Sequence, residues 1–266
     1  MGFRTFSNSQ KTELGRGHNF EAKIFSSFNI PAGVKIDLNV FDYQNTVIKD
    51  GANRISQIID GSGLNNHALQ SVQLEKPLLT LDAIGGKPGM EVTDSNDYLV
   101  FTNTLTQQGD FTIYYVVYNP SIITSSSGVL IFGGDITGIQ PRMFIAAGNL
   151  HGVITGETLS IEHRASGVQR FSYIKDNIPA GVHVLKLKLS GSTTSIAIDG
   201  SEKTVFAHNG GLDPTHALDK LQTLSYAVAA PLFAYGRFLC WFRALTGDAT
   251  SGEDGEMTNN LLNFWQ

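Results

Sequence analysis

From Phe20 onward, apolar and polar residues alternate in short runs separated by turn-rich clusters. Ile36, Leu38 and Val40 alternate with Lys35, Asp37 and Asn39, the period-two pattern of a half-buried strand. Val182 to Leu189 shows it most clearly, with Leu185, Leu187 and Leu189 on one face and Lys186 and Lys188 on the other. Phe111-Thr-Ile-Tyr-Tyr-Val-Val-Tyr118 is instead almost continuously β-branched or aromatic, which predicts a strand in a sandwich core. Val129 to Gly134 and Arg142 to Ala146 predict further strands, and Ser195 to Ile198 pairs naturally with Val182 to Leu189. Asp199-Gly200 is a type I′ hairpin signal ahead of Thr204-Val-Phe-Ala. Ile30-Pro-Ala-Gly-Val34 and Ile178-Pro-Ala-Gly-Val182 each lead into a strand, Pro presetting φ and Gly supplying the reversal. Strands at roughly 8–12-residue spacing with turn punctuation predict an antiparallel sandwich or barrel.

The chain ends differently. Phe233 to Phe242 predicts a last, aromatic-rich strand, and the segment after Thr246 turns helical. Thr250 with Glu253 forms a capping-box pattern, and Met257, Leu261, Leu262 and Trp265 recur at helical spacing, one apolar face to dock on the sandwich.

Composition narrows the class. The chain has 266 residues, long enough for one large β-domain. Charge is sparse at 16%, glycine plentiful at 28 residues, and net charge is −5, which argues against a nucleic-acid platform. A single cysteine, Cys240, excludes an internal disulfide framework and a cysteine-rich zinc site. The first ten residues lack a secretory h-region. The most apolar window, Leu224 to Phe242, is broken by Pro231, Gly236 and Arg237. A soluble chain without membrane insertion is expected, made in the cytoplasm without a signal peptide.

The stretch from Arg54 to Leu99 carries a resemblance. Asp60-Gly-Ser62-Gly63-Leu-Asn65-Asn66-His67-Ala68, then Pro77, Gly86-Lys87-Pro88 and Asp94-Ser-Asn-Asp97-Tyr98-Leu99, resemble in order the motifs of laminin-G-like (concanavalin A-like) jelly-roll domains. Val184 to Leu189 with Ile196 to Gly200 looks like that family's central hairpin. Trp241-Phe-Arg243-Ala244-Leu245-Thr246 looks like its closing strand. The resemblance implies an all-β antiparallel sandwich over residues 31–266 with a short C-terminal helix. Residues 1–30 have no counterpart in it, and their polar start, Gly2 to Asn19, is read as a frayed terminus or, more sharply, an N-terminal arm or docking segment. It also implies three kinds of work: sugar binding, adhesion and, in some branches, glycoside hydrolysis.

Hydrolysis finds little in the residues. Glu157 and Glu162 have the spacing of a glucanase Glu-x-Asp-x-x-Glu strand, but Leu159 stands where the central carboxylate belongs, and residues five apart on a regular strand face opposite sides. No enzyme is expected. Asp60, Asn65, Asn66, Asp94 and Asp97 are hard oxygen donors of the kind Ca²⁺ collects. The preferred reading is that Asp60, Asn65 and Asn66 satisfy turn amides; Asp60, Asn65 and Asn66 remain the candidate metal ligands, with no cofactor otherwise expected. His151, His163, His208 and His216 show no metal spacing, and no Gly-x-Ser-x-Gly elbow is present. Tyr43, Tyr98 and Tyr173 could stack on sugars.

Stand-alone jelly rolls with a short N-terminal extension are similar to phage decoration, fibre and tail adhesion proteins. The leading expectation is therefore a non-enzymatic virion structural or surface protein, assembled in the host cytoplasm. Its partners would be other virion proteins, bound through the N-terminal segment, with a host-surface glycan as a further contact and a homo-oligomer possible. The alternative is a carbohydrate-binding lectin module, and the third reading a glycoside hydrolase.

Overall fold

A computed structural model describes residues 29–93, 97–120, 129–132, 143–147, 159–165, 168–176, 178–210, 215–224 and 234–265. In chain order the strands are β1 Val34–Asn39, β2 Val47–Lys49, β3 Ile55–Ile58, β4 Ala68–Leu69, β5 Leu78–Ile84, β6 Lys87–Glu91, β7 Tyr98–Gln108, β8 Phe111–Asn119 and β9 Val129–Phe132. They continue as β10 Met143–Ala147, β11 Leu159–Ala165, β12 Val168–Ile174, β13 Gly181–Ser190, β14 Thr193–Ile198, β15 Ser201–Glu202, β16 Val205–His208, β17 Thr215–Leu224 and β18 Ala234–Trp241. One helical turn, α1 (Tyr43–Thr46), follows β1, and α2 (Gly252–Trp265) closes the chain.

The strands form two antiparallel sheets, so the fold is the all-β sandwich the alternation predicts. Among the described residues the first sheet runs β15-β14-β13-β8-β18-β6-β5, with β1 also paired to β18. The second runs β16-β12-β11-β10-β9-β17-β7-β4-β3-β2. Period-two alternation decides which side chains meet between them. Ile36 and Leu38 of β1, Leu99 and Phe101 of β7, Leu185, Leu187 and Leu189 of β13, and Phe238 and Cys240 of β18 share the inter-sheet core.

The run from Phe111 to Tyr118 lacks alternation because β8 is buried on both faces. Phe111, Ile113, Tyr115 and Val117 enter the inter-sheet core. Tyr114 and Val116 point the other way, into a second core with Leu239, Trp241, Met257, Leu261 and Trp265. That second core exists because α2 lies on the outer face of the first sheet. Full burial of each large apolar side chain stabilises by about 1.5–3 kcal/mol, so three such residues on one helical stripe suffice to seat it. The stripe expected from helical spacing is the one used: Met257, Leu261 and Trp265 are buried, and Leu262 packs at the margin.

Turn chemistry follows the sequence closely. Gly33 and Gly181, in the two Ile-Pro-Ala-Gly-Val segments, have φ of 81° and 122°, where a side chain is strained. Asp199 and Gly200 have φ of 51° and 75°, both positive as a type I′ turn requires. The hairpin they close is shorter than expected: β14, paired to β13 on its other side, meets just Ser201–Glu202 beyond the turn, and β16 then joins β12 in the other sheet.

The capping box does not form as the spacing suggests. The Thr250 hydroxyl donates to Asp248 Oδ1 at 2.7 Å instead of capping the helix. Thr246, seven residues from Glu253, takes that role. Its amide donates to Glu253 Oε2 at 3.1 Å, while the Glu253 amide reaches Thr246 Oγ1 at 3.4 Å. The exchange is reciprocal, as in a capping box, but the loop folds back to supply its partner. The N-terminal arm from Gly2 to Ile30 lies outside the described residues except for its last two positions.

Candidate functional site

Among the described residues, three groupings of polar or aromatic side chains bear on the expected sites. The first is the Asp60 turn. Asp60 Oδ1 accepts the amides of Asp37 at 2.9 Å and Ser62 at 3.0 Å, and Oδ2 accepts the Ser62 hydroxyl at 2.5 Å and the Asn66 amide at 3.0 Å. Asn66 passes its side-chain amide to the Lys35 carbonyl at 2.9 Å and accepts from Asn103 at 3.1 Å. The Asp60 amide donates to His67 Nδ1 at 3.0 Å, which places the imidazole proton on Nε2. Asp37, held through its backbone by this turn, receives Arg237 in a bidentate pair at 3.0 and 2.9 Å.

Asp60 and Asn66 are thus brought together as a latch that ties the Asp60–His67 loop to β1 (Asp37 and Lys35). Asn65 stands apart, exposed, with φ of 58°, a left-handed conformation that Asn tolerates better than most residues. Asp97 lies elsewhere, fully buried, and accepts the Thr93 amide and hydroxyl at 2.6 and 2.7 Å. Asp94 lies outside the described residues. Among the described residues no three His, Cys, Asp or Glu side chains gather around a common point.

The second place lies beneath α2, where Lys186 and Lys188 surround Asp254. All three are buried. Lys188 Nζ donates to Asp254 Oδ2 at 2.9 Å and to the Gly247 carbonyl at 2.6 Å. Alternation put these lysines opposite the leucines of β13. It did not show that α2 covers that face and supplies their counter-ion. Burial first, and the Asp254 charge second, push the Tyr114 hydroxyl far above its ordinary pKa.

The third place is the outer surface of the second sheet at β12 and β16. Ser172 and Ile174 are buried, and Ile174 enters the inter-sheet core, so Tyr173 between them points outward. Its register partner on β16 is Phe206. The rings stack with centroids 5.4 Å apart and planes 26° from parallel, and Phe206 remains 37% exposed. Lys175 Nζ lies 5.1 Å from the Phe206 centroid, a cation–π distance. At the rim, Lys203 pairs with Asp176 at 2.7 Å. This is a partly exposed aromatic pair with a cation over one of its rings. Tyr43 instead packs against the core, and Tyr98 is half-buried with its carbonyl accepting Gln70 Nε2 at 3.2 Å.

Of the hydrolase pair, Glu157 and likewise His151 lie outside the described residues. Glu162 sits on β11, whose pairing with β12 runs from Leu159 to Ala165 without a bulge. Phe206 carried no signal in the sequence beyond its place after a hairpin; only register pairs it with Tyr173.

No protein-family model and no curated protein matches the sequence. Solved structures do match the fold. The binding domain of Paraclostridial Mosquitocidal Protein 1 is similar with a TM-score of 0.57 at 12% identity, over 87% of this chain and 52% of that one. The ligand-binding domain of botulinum neurotoxin serotype D, solved in complex with N-acetylneuraminic acid, has a TM-score of 0.53 at 10% identity, over 88% and 50%. The Trypanosoma rangeli sialidase has a TM-score of 0.51 at 10% identity, over 87% and 33%. The chain therefore spans about half the length of the toxin domains it matches. At such identities the likeness establishes a shared β-sandwich fold. The laminin-G and phage resemblances gain no support from these comparisons.

Proposed function

We propose that this chain is a non-enzymatic carbohydrate-binding module that takes acidic sugars on the outer surface of its second sheet. The observation that carries the reading is the partly exposed Tyr173–Phe206 stack with Lys175 over the Phe206 ring. A pyranose presents polarised C–H bonds on one face, and these settle on the electron-rich face of an aromatic ring. The Lys175 ammonium, held over the Phe206 ring, pairs with a sugar carboxylate at the side of the stack. Support for an acidic sugar comes from the fold: one similar toxin domain was solved with N-acetylneuraminic acid, and another similar structure is a sialidase. None of the similar structures named above bears on a virion, and the arm expected to attach to one is almost wholly outside the described residues.

The test is titration of the full chain with 3′-sialyllactose and with lactose, read by NMR shifts of the β12 and β16 amides. Phe206→Ala should weaken sialyllactose binding at least about tenfold, corresponding to about 1.4 kcal/mol. Lys175→Ala should erase the preference for the sialylated sugar over lactose. Chelator should leave binding unchanged, because the platform uses no metal. Shifts confined to other surfaces, or binding indifferent to Phe206→Ala, would overturn the proposal.

A further inference from the structure

The alternation of β13 places Lys186 and Lys188 on one face, and α2 closes over them so that both reach the same carboxylate. Lys186 Nζ donates to Asp254 Oδ2 at 3.2 Å and also contacts Glu202 Oε1 of β15. Asp254 is fully buried and Lys186 is 2% exposed, whereas the Glu202 side chain is 36% exposed at the rim. The Tyr114 hydroxyl hydrogen-bonds to Asp254 Oδ1 and lies 2.9 Å from Thr258 Oγ1. The arrangement holds an amine and a carboxyl in buried contact, with a second carboxylate reaching the amine from the rim and a hydroxyl donor on the carboxyl oxygen.

We propose that Lys186 and Asp254 condense into an intramolecular isopeptide bond that ties α2 covalently to β13, with Glu202 as the proton carrier. Glu202 takes a proton from the Lys186 ammonium, and the freed amine attacks Asp254 Cγ. The Nζ–Cγ bond forms and the Cγ–Oδ2 bond breaks. Of the three ammonium protons one stays on the amide nitrogen, and two leave with Oδ2 as water. Oδ1 becomes the amide oxygen, with the Tyr114 hydroxyl donating to it as negative charge develops. Burial and the Asp254 charge keep that hydroxyl protonated. Lys188, at 2.9 Å from Oδ2, donates to the leaving oxygen.

Proximity supplies the driving advantage: groups held in contact react with effective molarities of about 10⁵–10⁸ M. The geometry also distinguishes the two lysines. Lys186 touches a second carboxylate that can accept its proton. Lys188 instead divides its donors between Asp254 and the Gly247 carbonyl, and a carbonyl is no base.

The test is intact mass spectrometry of the purified full chain, followed by proteolysis and peptide sequencing. The expected chain is lighter than its sequence by one water, and digestion yields a branched peptide joining Lys186 to Asp254. Lys186→Arg and Glu202→Gln should both restore the full mass. Because Glu202 lies at the rim, Glu202→Gln keeps the fold, checked by circular dichroism. A wild-type chain at full mass after prolonged incubation would overturn the proposal. So would a water loss residing in a cyclic imide at Asp254-Gly255, or a branch at Lys188.

Discussion

The indole of Trp265 lies directly against the backbone of Gly236. A Cβ at position 236 would fall 2.4 Å from Cη2, 2.7 Å from Cζ3 and 2.8 Å from Cζ2 of that ring. Gly236 sits at the bulge between Tyr235 and Arg237, and its carbonyl accepts the Val40 amide at 3.0 Å. The strand is therefore held from one side while the helix presses on the other, and neither can retreat freely.

Gly236→Ala should destabilise the chain by about 1–3 kcal/mol through overpacking, read as a lower urea midpoint at unchanged slope. The Trp265 indole nitrogen is buried and has no hydrogen-bond partner among the described residues. Trp265→Phe thus removes volume without unpairing a polar group. Placed in the Gly236→Ala background it should recover part of the loss, and a double-mutant cycle would show the coupling. Additive losses would mean that the two sites do not press on each other.

Asp60→Ala leaves the Asp37, Ser62 and Asn66 amides without their acceptor. A cost of about 1–3 kcal/mol is expected, with faster hydrogen exchange at Asp37 and Asn66. Asn65→Gly, at φ of 58°, should change stability by no more than a few tenths of a kcal/mol, since glycine accepts that backbone freely. Loss of fold on Asn65→Gly would give its side chain a role the latch does not explain.

Acid should loosen the start of α2. The Arg243 guanidinium pairs with Glu253 at 2.6 and 2.8 Å, and with the Thr246 amide it lowers the Glu253 carboxyl to about 2. A depressed folded value means the contribution is present above the unfolded glutamate value, about 4.3. It is lost as pH falls toward about 2. Glu253→Gln should flatten the stability profile over that window, measured as thermal midpoint against pH.

His183 acts in the opposite sense. Burial alone would lower its pKa, but Asp199, whose Oδ2 lies 2.7 Å from Nδ1, outweighs it together with the Pro179 and Ala180 carbonyls, and the net shift is upward. A raised folded value means the contribution is fully present below the unfolded histidine value, about 6.5. It fades as pH climbs through the folded one. Asp199→Asn should remove that slope while keeping the positive φ, since Asn tolerates it. A slope unchanged in Asp199→Asn would assign it to another group.

The alternation of Leu185, Leu187 and Leu189, the turn glycines at 33 and 181, and the stripe of Met257, Leu261 and Trp265 were all legible in the chain. Each depends on a residue and its neighbours within a few positions, where backbone geometry alone sets which side a residue faces. The same holds for Asp60, whose Asx-type turn needs little beyond Ser62 and Asn66. What could not be read was which polar face stays wet. Lys186 and Lys188 look like a solvated edge until α2, some 60 residues on, folds over them and brings Asp254. Phe206 acquires its ring partner only through the register of β16 against β12. Periodicity is local and decides faces; burial, charge pairing and platforms are made by elements distant in the chain, and only packing brings those together.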